Sequence, residues 1–242
     1  CGFKSRLAHH DECSYSIGNA VRTLVFFVHP AGKEAIQVAQ DRFSNYDLMR
    51  DRMEVEFVKY DQQEMIRKFG LKHDASFLYL DFAGRSYRID RARGRVEWYC
   101  QARGTYIHAN FDVLAWSKPD CHLDGRLVPV SGLRGTTQSA SAAGALFSKK
   151  ASIFAGRTDA LRQACLALGG KPGTVGDVSS TIPLFSFLPV VLQFWDADEE
   201  FEAVLKFMWD YNTTDFMHFE TIAFATFHLI DRLKDVAEEH GW

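Results

Sequence analysis

Between positions 196 and 220 stand the side chains best able to ligate a cation or move a proton: Asp196, Asp198, Glu199, Glu200, Asp215, His218 and Glu220. Hard cations take several oxygen ligands, and an imidazole among carboxylates suits a transition metal. Asp196, Asp198, Glu199, His218 and Glu220 are therefore the candidate metal set. Trp195 and Trp209 lie close in sequence, and carboxylates in an aromatic setting can hold separated pKa values for acid–base work. That chemistry would serve a metal-dependent hydrolase or lyase. A plainer reading competes with it. Acidic residues in the first turn of a helix stabilise the helix dipole by about 0.3–1 kcal/mol each. Asp196 or Asp198 would then cap one helix and Asp215 the next. Glu220, Phe224, His228 and Arg232 recur at a spacing of four, which would make them a structural polar ladder on one helix face.

The other chemistry-bearing residues suggest binding. Trp195, Tyr87, Arg88 and Trp209 combine aromatic faces with a cation and are the candidate ligand contacts. Arg85, Arg88, Arg91, Arg93 and Arg95 make residues 85–95 basic, either as an anion site or as the wet face of a sheet. His9-His10-Asp11-Glu12-Cys13 carries metal-ligand types but reads as a solvated lead-in. No nucleophile elbow, triad order or catalytic cysteine context is present. The glycines match neither a Walker nor a dinucleotide pattern.

A net charge of -3, without a basic stripe, excludes a general nucleic-acid binder. Hydrophobic residues at 47% and charged ones at 24% exclude a disordered chain and allow a sizeable core. The 5 cysteines are odd in number, widely spaced and without a Cys-x-x-Cys pair, which fits reduced thiols in the cytoplasm. No apolar run reaches the length of a membrane span. Cys1-Gly2 opens the sequence as a mature lipoprotein would, but a trimmed chain or one lacking its true start accounts for the same residues and is the preferred reading.

These residues need elements to hold them. Residues 21–28 read as a strand or a buried helical turn, stopped by His29-Pro30-Ala31-Gly32. Residues 33–69 turn helical, and Asp61-Gln62-Gln63-Glu64 has the form of a capping box ahead of a stop at Gly70. Residues 77–82, 86–90 and 95–99 form three short β runs across glycine-containing turns, the mark of an antiparallel meander. A short helix is expected over 110–116. Pro129 makes 127–130 an edge strand, and 131–145 has loop composition. Thr158 is expected to cap a helix ending at Leu168. Pro183 and Pro189 divide 182–195 into two extended pieces, with 190–195 a buried strand. Phe201, Val204, Leu205, Met208 and Trp209 fall at helical spacing, predicting a helix after Asp198. A longer helix is expected from about 216 to 238. The fold class is α+β: an antiparallel sheet covered by helices, with an arm over 1–45 and a single domain over 46–242.

The run LPVVLQFWDADEEF at 188–201, followed by His218-Phe219-Glu220-Thr221, resembles the bacterial family known as domain of unknown function 3786. So do Tyr60-Asp61-Gln62-Gln63-Glu64, Phe82-Ala83-Gly84-Arg85-Ser86-Tyr87-Arg88-Ile89 and Leu168-Gly169-Gly170. The likeness covers roughly 60–233. It implies a soluble cytoplasmic protein of anaerobic bacteria, with iron–sulfur or corrinoid proteins as partners. It carries no activity. Any metal cluster would belong to the partner, since closely spaced cysteines are lacking here. The leading expectation is a non-enzymatic accessory or cofactor-binding protein. The metal-dependent hydrolase or lyase and a purely structural or interaction role are the alternatives.

Overall fold

The computed structural model describes residues 54–100, 105–109, 117–135 and 147–242. The expected arm over 1–45, the strand at 21–28, the helix at 110–116 and most of the 131–145 loop lie outside the described residues.

The apolar run around Pro183 and Pro189 folds back on itself. Strand β8 (Val178–Phe185) pairs antiparallel with β9 (Leu188–Trp195), placing Val178 opposite Phe194 and Ile182 opposite Val190. Pro183 faces Pro189 where the register shifts, a position that suits two residues without amide donors. Burial alternates along β9: Leu188, Val190, Leu192 and Phe194 are buried, while the residues between them are half-exposed.

The N-terminal part of the sheet is the expected meander. Helix α1 (Gln62–Phe69) is capped by Asp61, whose side chain accepts from the Glu64 amide, and it stops at left-handed Gly70. Then follow β1 (Lys72–His73), β2 (Phe77–Phe82), β3 (Arg85–Asp90), β4 (Val96–Cys100) and β5 (Thr105–Ala109). The β2–β3 turn is tight, with Ala83 and Gly84 at φ 46° and 70°. A Cβ on Gly84 would lie 2.6 Å from Leu168 Cδ2, so both the backbone and the neighbour require glycine there.

After Asp198 the structure departs from the sequence reading. Val204–Asp210 is strand β10, not a helix, and pairs antiparallel with β9 from Val204 opposite Trp195 to Trp209 opposite Val190. Val204, Leu205, Met208 and Trp209 fit a helical period, but Leu205, Phe207 and Trp209 also alternate with Lys206 and Met208. The second period is the one buried: Leu205, Phe207 and Trp209 are covered and Lys206 is exposed. Hydrogen bonding to a neighbouring strand decided between two periods that the residues allow equally. Strand β6 (Leu127–Pro129) closes this edge against β10, as its proline requires.

The 10-stranded sheet runs β5-β4-β3-β2-β8-β9-β10-β6, with β1 on β2 and β7 (Lys171–Pro172) on β8. All its pairs are antiparallel, so the fold is α+β as expected. Its two halves join through one residue pair, Phe82 opposite Phe185, whose rings stack at 4.7 Å. The Ala83 amide extends this contact by donating to Leu184 O.

Helix α2 (Thr158–Ala167) has Arg157 rather than Thr158 at its N-cap. It packs along α4 (Phe219–Glu239). A short α3 (Thr213–Phe216) precedes α4. Asp215 does not cap the long helix, because Lys118 and Arg134 take its carboxylate at 2.5 and 3.3 Å. His218 stands at that cap instead, in extended conformation. Helix α4 buries Ile222, Leu229, Ile230 and Leu233 on its inner face.

Candidate functional site

Strand alternation gives β3 two chemically different faces. Tyr87 and Ile89 are buried on one face with half-buried Arg85, while Ser86 and Arg88 point to the other. Tyr87 sits opposite Trp98 of β4. The Arg85 guanidinium lies 3.8 Å from the centre of the Trp98 ring, a cation–π contact that orients it. It also lies within hydrogen-bonding reach of the Tyr87 hydroxyl.

Helix α4 faces this surface with His228 and Arg232, one turn apart. The His228 ring stacks on Phe82 of β2 at 4.9 Å and 17°. Its Nε2 is closed to solvent and has no hydrogen-bond partner among the described residues. Arg232 is 7% exposed, yet its Nε and Nη1 also lack hydrogen-bond partners among the described residues. Its nearest carboxylates are Asp235 at 3.7 Å and Glu239 at 4.0 Å, too far for a hydrogen bond. For Arg85 there is no carboxylate partner among the described residues.

The electrostatics follow from this placement. Burial pushes the His228 imidazole down to about 3, and the positive charges of Arg85 and Arg232 act in the same direction. Burial raises the Tyr87 phenol above its ordinary range. Burial likewise lowers the Arg232 guanidinium, and Arg85 adds to the effect. The site thus gathers two cations, an imidazole and a phenol between aromatic walls, with too few acceptors of its own. Buried donors without acceptors cost about 1–3 kcal/mol each, more for charged groups. An arrangement of this kind can bind and orient an electron-rich group.

The residues singled out from the sequence are dispersed. Of the ligand candidates, only Tyr87 belongs to this site. Arg88 points to the opposite face of β3, where it binds Glu97 at 2.8 and 3.0 Å and covers the Phe77 ring. Trp195 ends β9 beneath the Lys206 ammonium, 5.0 Å away. Trp209 is fully buried in β10. Both tryptophans are separated from β3 in the sheet by β2 and β8.

The acidic segment shapes a hairpin, not a helix start. Asp196 Oδ1 accepts from the amides of Gly156 and Ala197. Asp198 Oδ1 accepts from those of Glu200 and Phe201, which hold its carboxyl below the usual carboxylate range. Glu199 is exposed in this turn. His218 accepts the Ile222 amide through its carbonyl as α4 begins, and the Glu220 side chain lies outside the described residues. No group of three His, Cys, Asp or Glu side chains able to hold a metal ion occurs among the described residues.

Trp98, His228 and Arg232 were not among the sequence candidates, and Arg85 entered only as one of the five arginines of 85–95, read as an anion site or as the wet face of a sheet. The available signal was the strip containing His228 and Arg232, which spacing alone made a structural ladder. What distinguishes it is the arginine-headed strand that α4 packs against, and that neighbour is non-local.

A model of the family described as Domain of unknown function (DUF3786) matches residues 61–232, well over half of the chain. Comparison with curated proteins and with solved structures finds no match.

Proposed function

We propose, for a chain that belongs to the DUF3786 family of domains of unknown function, a non-enzymatic binding protein that holds a small organic ligand or cofactor between β3 and α4. The observation carrying this reading is Arg232, a buried cation with two nitrogens lacking acceptors, placed beside His228 Nε2 in the same condition. A ligand supplying acceptors would remove that cost on binding, which is the energetic basis for affinity at a preformed site. The half-buried Trp98 would give it a flat apolar wall. Binding is favoured over catalysis because His228, held near 3, stays neutral at pH 7 and is a weak base there. The setting is the cytoplasm, where free thiols such as Cys121 and Cys165 stay reduced. The family resemblance adds an iron–sulfur or corrinoid protein as the partner such a module would serve.

Native mass spectrometry of protein purified without a tag, under anaerobic conditions and with elemental analysis alongside, tests the proposal. It is expected to show a stoichiometric organic mass, released in Arg85→Gln. A metal lost on Asp198→Asn or His218→Ala would move the assignment to the hydrolase or lyase reading. A protein carrying neither would contradict binding at β3–α4.

A further inference from the structure

The same cluster constrains what kind of molecule it holds. Arg85 and Arg232 bring two positive charges to one side of Phe82 and Tyr87, from β3 and from α4. The carboxylates nearest Arg232, those of Asp235 and Glu239, stand 3.7 and 4.0 Å from its Nη1 and leave it unbonded. A cationic ligand would be repelled. A neutral one would leave a desolvated guanidinium without the charged acceptor that best compensates it.

We infer that the ligand is an organic oxyanion, a carboxylate or a phosphate ester, whose charged head lies between Arg85 and Arg232 and whose body rests against the half-buried Trp98. This rests on the binding reading above. Arg232 donates to the head through the nitrogens that lack partners. Arg85, already oriented by the Trp98 ring, donates from the strand side. The charges acting on His228 from the elements packed around it are those of Arg85 and Arg232, both positive. An oxyanion offsets them and gives the imidazole an acceptor for a proton at Nε2. Burial first, then the charges of Arg85 and Arg232, depresses the titration of His228 in the folded chain, and Asp235 and Glu239 offset the Arg232 charge only in part. Tyr87, its phenol kept protonated by burial, completes the donor set without adding negative charge.

The test uses the full chain and three probes at matched ionic strength: inorganic phosphate, benzoate, and benzamide as the uncharged counterpart of benzoate. Binding is followed by calorimetry and by tryptophan fluorescence, since Trp98 forms part of the site. Phosphate or benzoate is expected to saturate, and benzamide is not. Saturation by phosphate alone assigns a phosphate ester, and by benzoate alone a carboxylate. Arg232→Gln and Arg85→Gln are each expected to weaken the oxyanion by about tenfold or more, the loss of one charge-assisted contact. Arg85 is half-exposed, so its variant keeps the test valid should the Arg232 variant unfold. Benzamide binding as well as benzoate, or oxyanion binding unchanged in both variants, would overturn the inference. An uncharged organic mass found on the purified protein and released in Arg85→Gln would overturn it while leaving the binding function standing. Neither an organic mass nor an oxyanion titration would remove both.

Discussion

At the scale of single residues, His228 and Arg232 set terms that a purely structural pair would not. The folded chain keeps His228 neutral down to about 3, whereas an unfolded chain protonates its histidines near 6.5. Between those values the unfolded state binds more protons, so stability increases with pH across that window. This contribution is complete above about pH 6.5 and is lost as the pH falls toward 3. From pH 6.5 to 5 it amounts to about 2 kcal/mol. Urea denaturation of the wild type and of His228→Phe at both pH values checks this. The variant, which keeps an aromatic ring over Phe82, is expected to lose less stability on acidification, and an equal loss would contradict the placement. Arg232 gives the complementary test. A buried, loosely paired cation destabilises the ligand-free protein, so Arg232→Met is expected to match or exceed wild-type stability by about 1 kcal/mol. A cost of several kcal/mol would mean that Arg232 serves the fold instead of a ligand.

At the scale of elements, the turn between β2 and β3 decides whether Arg85 and Tyr87 reach α4 at all. Gly84→Ala would place a side chain at φ 70° and against Leu168. It is expected to cost about 2–4 kcal/mol by thermal or chemical denaturation, combining backbone strain with the clash. A neutral result would show that α2 yields easily at Leu168. The meander, the two extended pieces of 182–195, the Asp61 cap and the proline edge strand were legible in the sequence because each rests on a local signal. Strand β10 was not, since its residues carry both a helical and an alternating period and the pairing with β9 settles the matter. The acidic run misled for a related reason. Carboxylates that accept nearby amides look alike at a helix start and in a hairpin turn, and Asp196 and Asp198 do the second. The candidate site was legible only as Tyr87, as Arg85 within the basic run 85–95, and as a strip on α4. Its meaning depends on which strand that strip packs against.

At the scale of the whole molecule, the sheet's two halves meet at Phe82 and Phe185. Helix α4 touches Phe82 of β2 through His228, and through Phe227 it meets Phe147, whose ring lies against Phe207 of β10 in the other half. The site therefore lies beside a narrow seam, where Phe82 packs against both Phe185 and His228. Phe185→Ala is expected to destabilise the protein by about 3–5 kcal/mol. In hydrogen exchange it should deprotect β2 and β8 more than β9 and β10. Uniform loss of protection would indicate that the halves are held together elsewhere. Fixed strands around a shared aromatic, with the unsatisfied Arg232 and His228 above it, suit a protein that holds a molecule with little rearrangement. The central claim is that Arg232 is retained for such a molecule at some expense to stability. Its most direct test is native mass spectrometry of the wild type and Arg232→Met, expressed and purified side by side. The account predicts an organic acid on the wild type and none on a variant that is folded and at least as stable. Equal occupancy of the two, or no bound mass on either, would contradict it.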